Sequence, residues 1–164
     1  AVVGAPVKNR KLISQLFVKD ELKLIVPRNH AFASRKTVPV AEIMEENLVW
    51  RVRGSGTRAV SEDRLAEFGV NLEKLNIVLE LGSTEAVITA VEEGLGIALV
   101  SNWAIKKSED LGRICSLDLE DLDLHRNLYL VYPRQKIYSR AVQVFLQQIR
   151  EPAPPVIPKE SRGE

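Results

Sequence analysis

Apolar residues along the chain alternate between short unbroken runs and stripes at helical spacing, most clearly from Asn76 to Trp103. Ile77, Val78, Leu79 and Leu81 form a nearly continuous run, the pattern of a strand buried on both faces. Gly82-Ser83-Thr84 breaks it. Ser83 or Thr84 can cap a helix by accepting from a free backbone N–H, and Glu85 places negative charge where the helix dipole favours it. Ala86, Val87, Ala90 and Val91 then recur on one helical face, with Glu92 and Glu93 opposite and Gly94 as the stop. Ile97 to Val100 supplies a second short strand, so the stretch reads as a strand, helix, strand unit with a right-handed crossover.

The same grammar holds elsewhere. Glu21 to Val26 reads as a strand closed by Pro27, whereas Leu12, Ile13, Leu16, Phe17 and Val18 lack a period and suggest a connecting segment. Ala1 to Gly4 is a short apolar strand whose partners are expected to lie outside the chain. A short helix is predicted near Pro39 to Met44 and a strand over Leu48 to Val52. A helix from about Ala59 to Phe68 should turn Val60, Leu65 and Phe68 toward the core, with Gly69 ending it. After Trp103 comes a turn of helix, then alternating apolar and acidic residues from Ile114 to Leu124, then a strand over Leu128 to Tyr132. Ser139 caps a final helix with the stripe Val142, Phe145, Leu146 and Ile149. From Glu151 on, four prolines and almost nothing to bury predict a disordered tail over 151–164.

Composition narrows the function classes. The chain has 164 residues, 45% hydrophobic and 27% charged, which is that of a soluble globular domain. Its net charge of +1, from 23 basic and 22 acidic residues, provides no electrostatic footprint for nucleic acid or an anionic membrane. No run is long enough to span a membrane, and no signal peptide opens the chain, which favours the cytoplasm. A single cysteine, Cys115, excludes an internal disulfide. Because the chain starts at Ala1 inside an apparent strand, it reads as an amino-terminally truncated fragment.

The chemistry concentrates at three strand ends: Gly54-Ser55-Gly56-Thr57, Gly82-Ser83-Thr84 and Ser101-Asn102. In open parallel sheets, ligands bind beyond the carboxyl ends of strands. Helix starts there offer free N–H groups and partial positive charge to an anion, and the glycines allow close approach. Each Ser or Thr taken singly is more simply a cap, and Arg53 and Arg58 taken singly are more simply solvated or ion-paired. The coincidence of three turns points to a small-molecule crevice. Gly54-Ser55-Gly56 lacks the lysine of a phosphate-binding loop, and Ala59 replaces the third glycine of a dinucleotide fingerprint. His30 and His125 have no partners at metal-ligand spacing and read as surface residues. Cys115, Trp50 and Trp103 read as core. No metal or cofactor is indicated.

Three segments in order carry a family resemblance: D-E-L-K-L-I-V-P-R-N-H-A-F-A (Asp20 to Ala33), R-V-R-G-S-G-T-R (Arg51 to Arg58) and E-L-G-S-T-E-A-V-I-T-A-V-E-E-G-L-G-I-A-L-V (Glu80 to Val100). Together they resemble the effector-binding domain of LysR-type transcriptional regulators, over about residues 1 to 150. The resemblance implies an α/β, two-lobed type 2 periplasmic-binding-protein fold, with parallel-sheet lobes joined by crossing strands. It puts 1–18 and 128–150 in an incomplete first lobe and 19–127 in the second lobe with the hinge strands. The crossings would run near Glu21 to Val26 and Asn127 to Val131. It further implies an effector site built from Ser55, Gly56, Thr57, Ser83, Thr84 and Ser101, with Pro6 and Val7 from the hinge side. The effector would be a small anion or metabolite, the regulator a homo-oligomer (dimer or tetramer), and DNA would be held only by an amino-terminal helix-turn-helix domain absent from this chain. Catalysis is not expected.

A solute-binding protein of a transport system is an alternative on the same fold. An enzyme such as prephenate dehydratase would need phenylalanine after Thr57-Arg58, where Ala59 stands.

Overall fold

A computed structural model describes residues 1–4, 6–135 and 137–150, with the Arg150 side chain left aside, so the predicted tail lies outside the described residues. The chain divides into two compact units, Ala1–Tyr132 and Pro133–Glu164.

The first unit is built on a long strand, β2 (Leu12–Pro27). Its hydrogen-bonded neighbours are β8 (His125–Pro133), β7 (Ile114–Leu119) and β6 (Ala98–Ser101). Leu24 pairs antiparallel with both Leu99 of β6 and Leu117 of β7. The half of β2 that carries these pairs is buried on both faces. Leu22, Leu24 and Val26 enter one core cluster, and Ile25 enters the other. Such double burial explains why Leu24-Ile25-Val26 is unbroken in apolarity.

Parallel pairing follows from the strand, helix, strand units. β4 (Leu48–Arg51) lies parallel to β5 (Ile77–Leu81), with Arg51 opposite Leu81, and Leu48 bridges Ile97 in parallel on its other side. Between β4 and β5 runs α2 (Gly56–Glu67), and between β5 and β6 runs α3 (Thr84–Glu92). β3 (Thr37–Val38) also pairs in parallel, with β7.

The two clusters make an α/β layered core. The first packs Leu65 of α2, Ile43 of α1 (Val40–Ile43) and Trp50 against β2. The second packs Val87, Ala90 and Val91 of α3 and Ile105 of α4 (Asn102–Asp110) against Ile25, Ala98 and Val100.

At the end of α3, Gly94 takes φ +76°, and the Leu95 N–H reaches back to the Ala90 carbonyl at 3.0 Å, closing the helix. Gly96 is required by space: a Cβ there would stand 2.4 Å from the Asn47 backbone oxygen.

Several expectations are corrected. The segment Leu12–Val18 is the first half of β2, not a connector. Leu16 and Phe17 are exposed, so one-sided burial had no chance to impose a period on it. β1 (Val2–Val3) has a partner within the chain, β8, with Val2 opposite Leu130. α2 starts at Gly56, earlier than Ala59, and Phe68 just past its end is 47% exposed. α4 runs nine residues, beyond a single turn, and Trp103 on it is 70% exposed, whereas Trp50 is buried.

In the second unit, α5 covers Arg140–Arg150. The Ser139 carbonyl accepts from the Gln143 N–H at 3.0 Å, opening the helix where the sequence puts its cap. The Tyr138 hydroxyl donates to the Pro133 carbonyl at 2.8 Å.

Candidate functional site

The parallel alignment of β5, β4 and β6 brings their carboxyl ends to one edge, so the three hydroxyl-bearing turns open on the same side of the fold. Each hydroxyl has a different occupation there.

After β5, Ser83 caps α3: its Oγ accepts from the Ala86 N–H at 3.1 Å. Thr84 accepts from Arg51 Nη1 at 2.7 Å, while Arg51 Nη2 donates to the Gly82 carbonyl at 2.9 Å. Arg51, the last residue of β4, thereby clasps the turn that follows β5. Its Nε is buried without a hydrogen-bond partner among the described residues.

After β4, Gly54 adopts φ +89°, which lets the chain turn back so that the Ser55 N–H donates to the Val52 carbonyl at 3.2 Å. Ser55 stands at the start of α2, and its side chain makes no capping bond. Gly56 follows, and a Cβ on Gly4 would lie 4.0 Å from the Gly56 Cα, so the end of β1 passes beside the helix start.

Thr57 in the first turn of α2 is buried and accepts from Arg126 Nη1 at 3.3 Å. At the end of β6, Ser101 makes no capping bond and instead donates to Asp20 Oδ1 at 2.8 Å. Thr57 and Ser101 therefore meet on the same ion pair. Arg126 Nε and Nη2 lie 2.8 and 2.7 Å from Asp20 Oδ2, and the two side chains are 10% and 0% exposed.

Asp20 belongs to β2 and Arg126 to β8, the two long neighbouring strands that the resemblance assigns as crossings. Neither residue was among those picked from the sequence. The available signal was a charge inside each of two otherwise strand-like segments, but nothing local pairs positions 106 residues apart.

Arg58, next to Thr57, is ion-paired. Nε donates to Glu62 at 2.7 Å, and Nη1 reaches Glu80 at 2.8 Å and the Arg51 carbonyl at 3.0 Å. Burial works against its charge, but the hydrogen bonds it donates to Glu80 and Glu62 outweigh it and hold the pKa above the ordinary arginine value. The cation therefore locks α2 onto β4 and β5.

Pro6 and Val7 stand exposed in the loop after β1, where the Val7 N–H donates to Ser14 Oγ at 3.3 Å. Among the described residues no hydrogen bond joins them to the hydroxyl turns. A groove of about 600 Å³ runs outside α2 and is lined by Ser55, Arg53 and Arg58. Another of about 640 Å³ lies between the Arg28–Ser34 loop and β7 and includes Cys115, which is half-buried.

His125 is exposed beside Asp123, and His30 is half-buried, 3.5 Å from Glu46. Among the described residues no group of His, Cys, Asp and Glu could hold a metal ion, and no helix is long and apolar enough to cross a membrane.

Comparison with known proteins agrees with this architecture. The family model of the LysR substrate binding domain matches residues 1–154. An uncharacterized HTH-type transcriptional regulator of Methanocaldococcus jannaschii is 42% identical over 145 residues, covering 88% of this chain and 49% of that protein. The HTH-type transcriptional activator CmpR of Synechocystis is 31% identical over 147 residues, covering 90% and 47%. This chain thus spans about half the length of the curated relatives it matches.

Among solved structures, the Synechocystis CcmR regulatory domain in complex with 2-PG superposes with a TM-score of 0.77 at 27% identity, covering 90% of this chain and 70% of that one. The effector-binding domain of QuiR in complex with shikimate is 16% identical with a TM-score of 0.74, covers 90% and 68%, and bears on the fold alone. With the type 2 periplasmic-binding-protein-like architecture in place and a family model matching nearly its whole length, the chain belongs to the LysR substrate-binding domain family.

Proposed function

We propose that this chain is the ligand-sensing part of a LysR-type transcriptional regulator, and that it takes a small anionic effector at the carboxyl edge of β5, β4 and β6. The observation that carries the reading is the convergence of Thr57 and Ser101 on the buried Asp20–Arg126 pair at that edge. In this reading Ser55, Gly56, Ser83 and Thr84 supply further hydroxyl and backbone donors, and the exposed Pro6 and Val7 contribute from the hinge side.

In this reading residues 1–18 and 128–150 contribute to one lobe and 19–127 to the other. The effector shifts lobe closure and oligomer arrangement only if it binds one arrangement better than the other. DNA is contacted by a helix-turn-helix segment outside this chain, the assembly is a homo-oligomer, and the compartment is the cytoplasm. The role is regulatory and not catalytic, as the relatives named above are transcriptional regulators. Because they are regulators, a transport solute-binding role is disfavoured.

The test is Thr57→Val combined with Ser83→Ala in the full-length regulator. The effector response should disappear while DNA affinity stays within about twofold, since no residue of the proposed site contacts DNA. Calorimetry showing undiminished effector binding in that double variant would remove the site.

A further inference from the structure

The hydrogen-bond directions around the buried ion pair say more than that a ligand binds. This step rests on the site proposed above. Thr57 Oγ1 accepts from Arg126, so its own proton is free to be donated elsewhere. Asp20 is enclosed completely: Ser101 donates to one oxygen and the Arg126 fork closes the other, with 0% of its side chain exposed. Arg126 keeps 10% of its side chain exposed, and Thr57 keeps 8% of its surface. What an arriving molecule can reach is therefore the cationic, donating side of the pair, with the anion shut behind it. The start of α2, a helix of 12 residues, adds unpaired N–H groups of the same polarity.

We infer that Arg126 is the positioning residue that makes this site selective for a small anion, and that Asp20 is the buried counter-charge that limits how tightly that anion is held. Arg126 fixes Thr57 as a donor and supplies positive potential in a poorly hydrated place, where charges interact more strongly than in water. Asp20 cancels most of that potential and stops the site from becoming a permanent anion trap. A carboxylate and a phosphate would both be read this way.

The variant that separates this role from a structural one is Asp20→Asn. If the pair served only to join β2 and β8, removing one charge would weaken folding and could not improve binding. If Asp20 restrains Arg126, anion affinity should rise, by roughly fivefold or more, since each close charge contributes energy on the order of a hydrogen bond to an ion.

The experiment titrates the 164-residue chain and its variants with glycolate, its uncharged counterpart glycolamide and inorganic phosphate, following backbone amide signals of Thr57, Ser83 and Ser101 by NMR. Expected are preference for an anion over glycolamide, a gain in Asp20→Asn, a loss of roughly tenfold in Thr57→Val and retention in Thr57→Ser. Whether glycolate or phosphate binds more tightly identifies the anion class.

Asp20→Asn combined with Arg126→Gln buries no charge and keeps the test open if the single variant does not fold; its preference for glycolate over glycolamide should fall to about one. Equal binding of glycolate and glycolamide to the parent chain overturns the inference and leaves the effector site standing. So does weaker anion binding by folded Asp20→Asn. No response of these residues to any probe overturns both.

Discussion

At the scale of single residues, the hydroxyls of one sequence class do three kinds of work. Ser83 caps a helix, Ser101 holds a carboxylate and Thr57 accepts from a guanidinium. Their loss should differ accordingly. Ser83→Ala should cost about 1 kcal/mol in urea unfolding, the usual worth of a cap, while Ser55→Ala, which breaks no capping bond, should stay within about 0.5 kcal/mol. Arg126→Ala strands Asp20 in a buried position and should cost about 3–5 kcal/mol. Asp20→Leu with Arg126→Met, which removes both charges, should recover most of that loss. A double variant as unstable as the single one would show that the pair itself stabilises the fold. Ser83 and Thr84 share one turn in the sequence, and the fold separates them: Ser83 caps α3 while Thr84 accepts from Arg51.

At the scale of elements, β6 and α3 were legible because β6 is buried on both faces and α3 on one, and periodicity records burial. β5 corrects the expectation of a strand buried on both faces: Val78 and Glu80 are exposed and Ile77, Leu79 and Leu81 are half-buried, so one face of its apolar run is open. β2 shows the reverse case. Its second half, with Leu22, Leu24, Ile25 and Val26 buried, announced itself, whereas its first half exposes Leu16 and Phe17 and resembled a loop. Trp103 has the size and apolarity of a core residue, yet α4 turns it outward and buries Ile105 instead. The connection between α3 and β6 is tightly constrained at Gly96. Gly96→Ala should lower stability by at least about 2 kcal/mol in denaturant melts, since the new Cβ meets the Asn47 backbone and not a yielding side chain. Leu65→Ala, emptying a fully buried position of α2, should cost about 2–5 kcal/mol in the same measurement.

At the scale of the whole molecule, β2 is the member on which the first unit is assembled, and charge as well as burial fixes its neighbours. Lys23 of β2 lies against Asp118 of β7 and 2.9 Å from Glu21. Partial burial by itself would lower the Lys23 pKa, but hydrogen bonds to Asp118 and Glu21 outweigh it, so the value sits above the ordinary 10.5. A lysine raised on folding contributes stability that is whole below its unfolded pKa and is lost as pH climbs through the folded one. Above pH 10.5, the parent chain should therefore lose stability more steeply than Lys23→Met, as read from thermal melts across that range. Parallel melting curves for the two would show that the contact adds nothing to folding, as is common for ion pairs open to solvent.

By itself the sequence determined the elements that bury a full face, the α/β class, the hydroxyl-rich strand ends and, through the order of three motifs, the family. These are local properties, written into neighbouring residues by burial and turn chemistry. Tertiary structure alone decided that Asp20 and Arg126 meet, that Thr57 and Ser101 share them, and that Trp103 faces out. Each depends on which strands become neighbours after distant segments pack, and a buried charge acquires its meaning only once its partner is beside it.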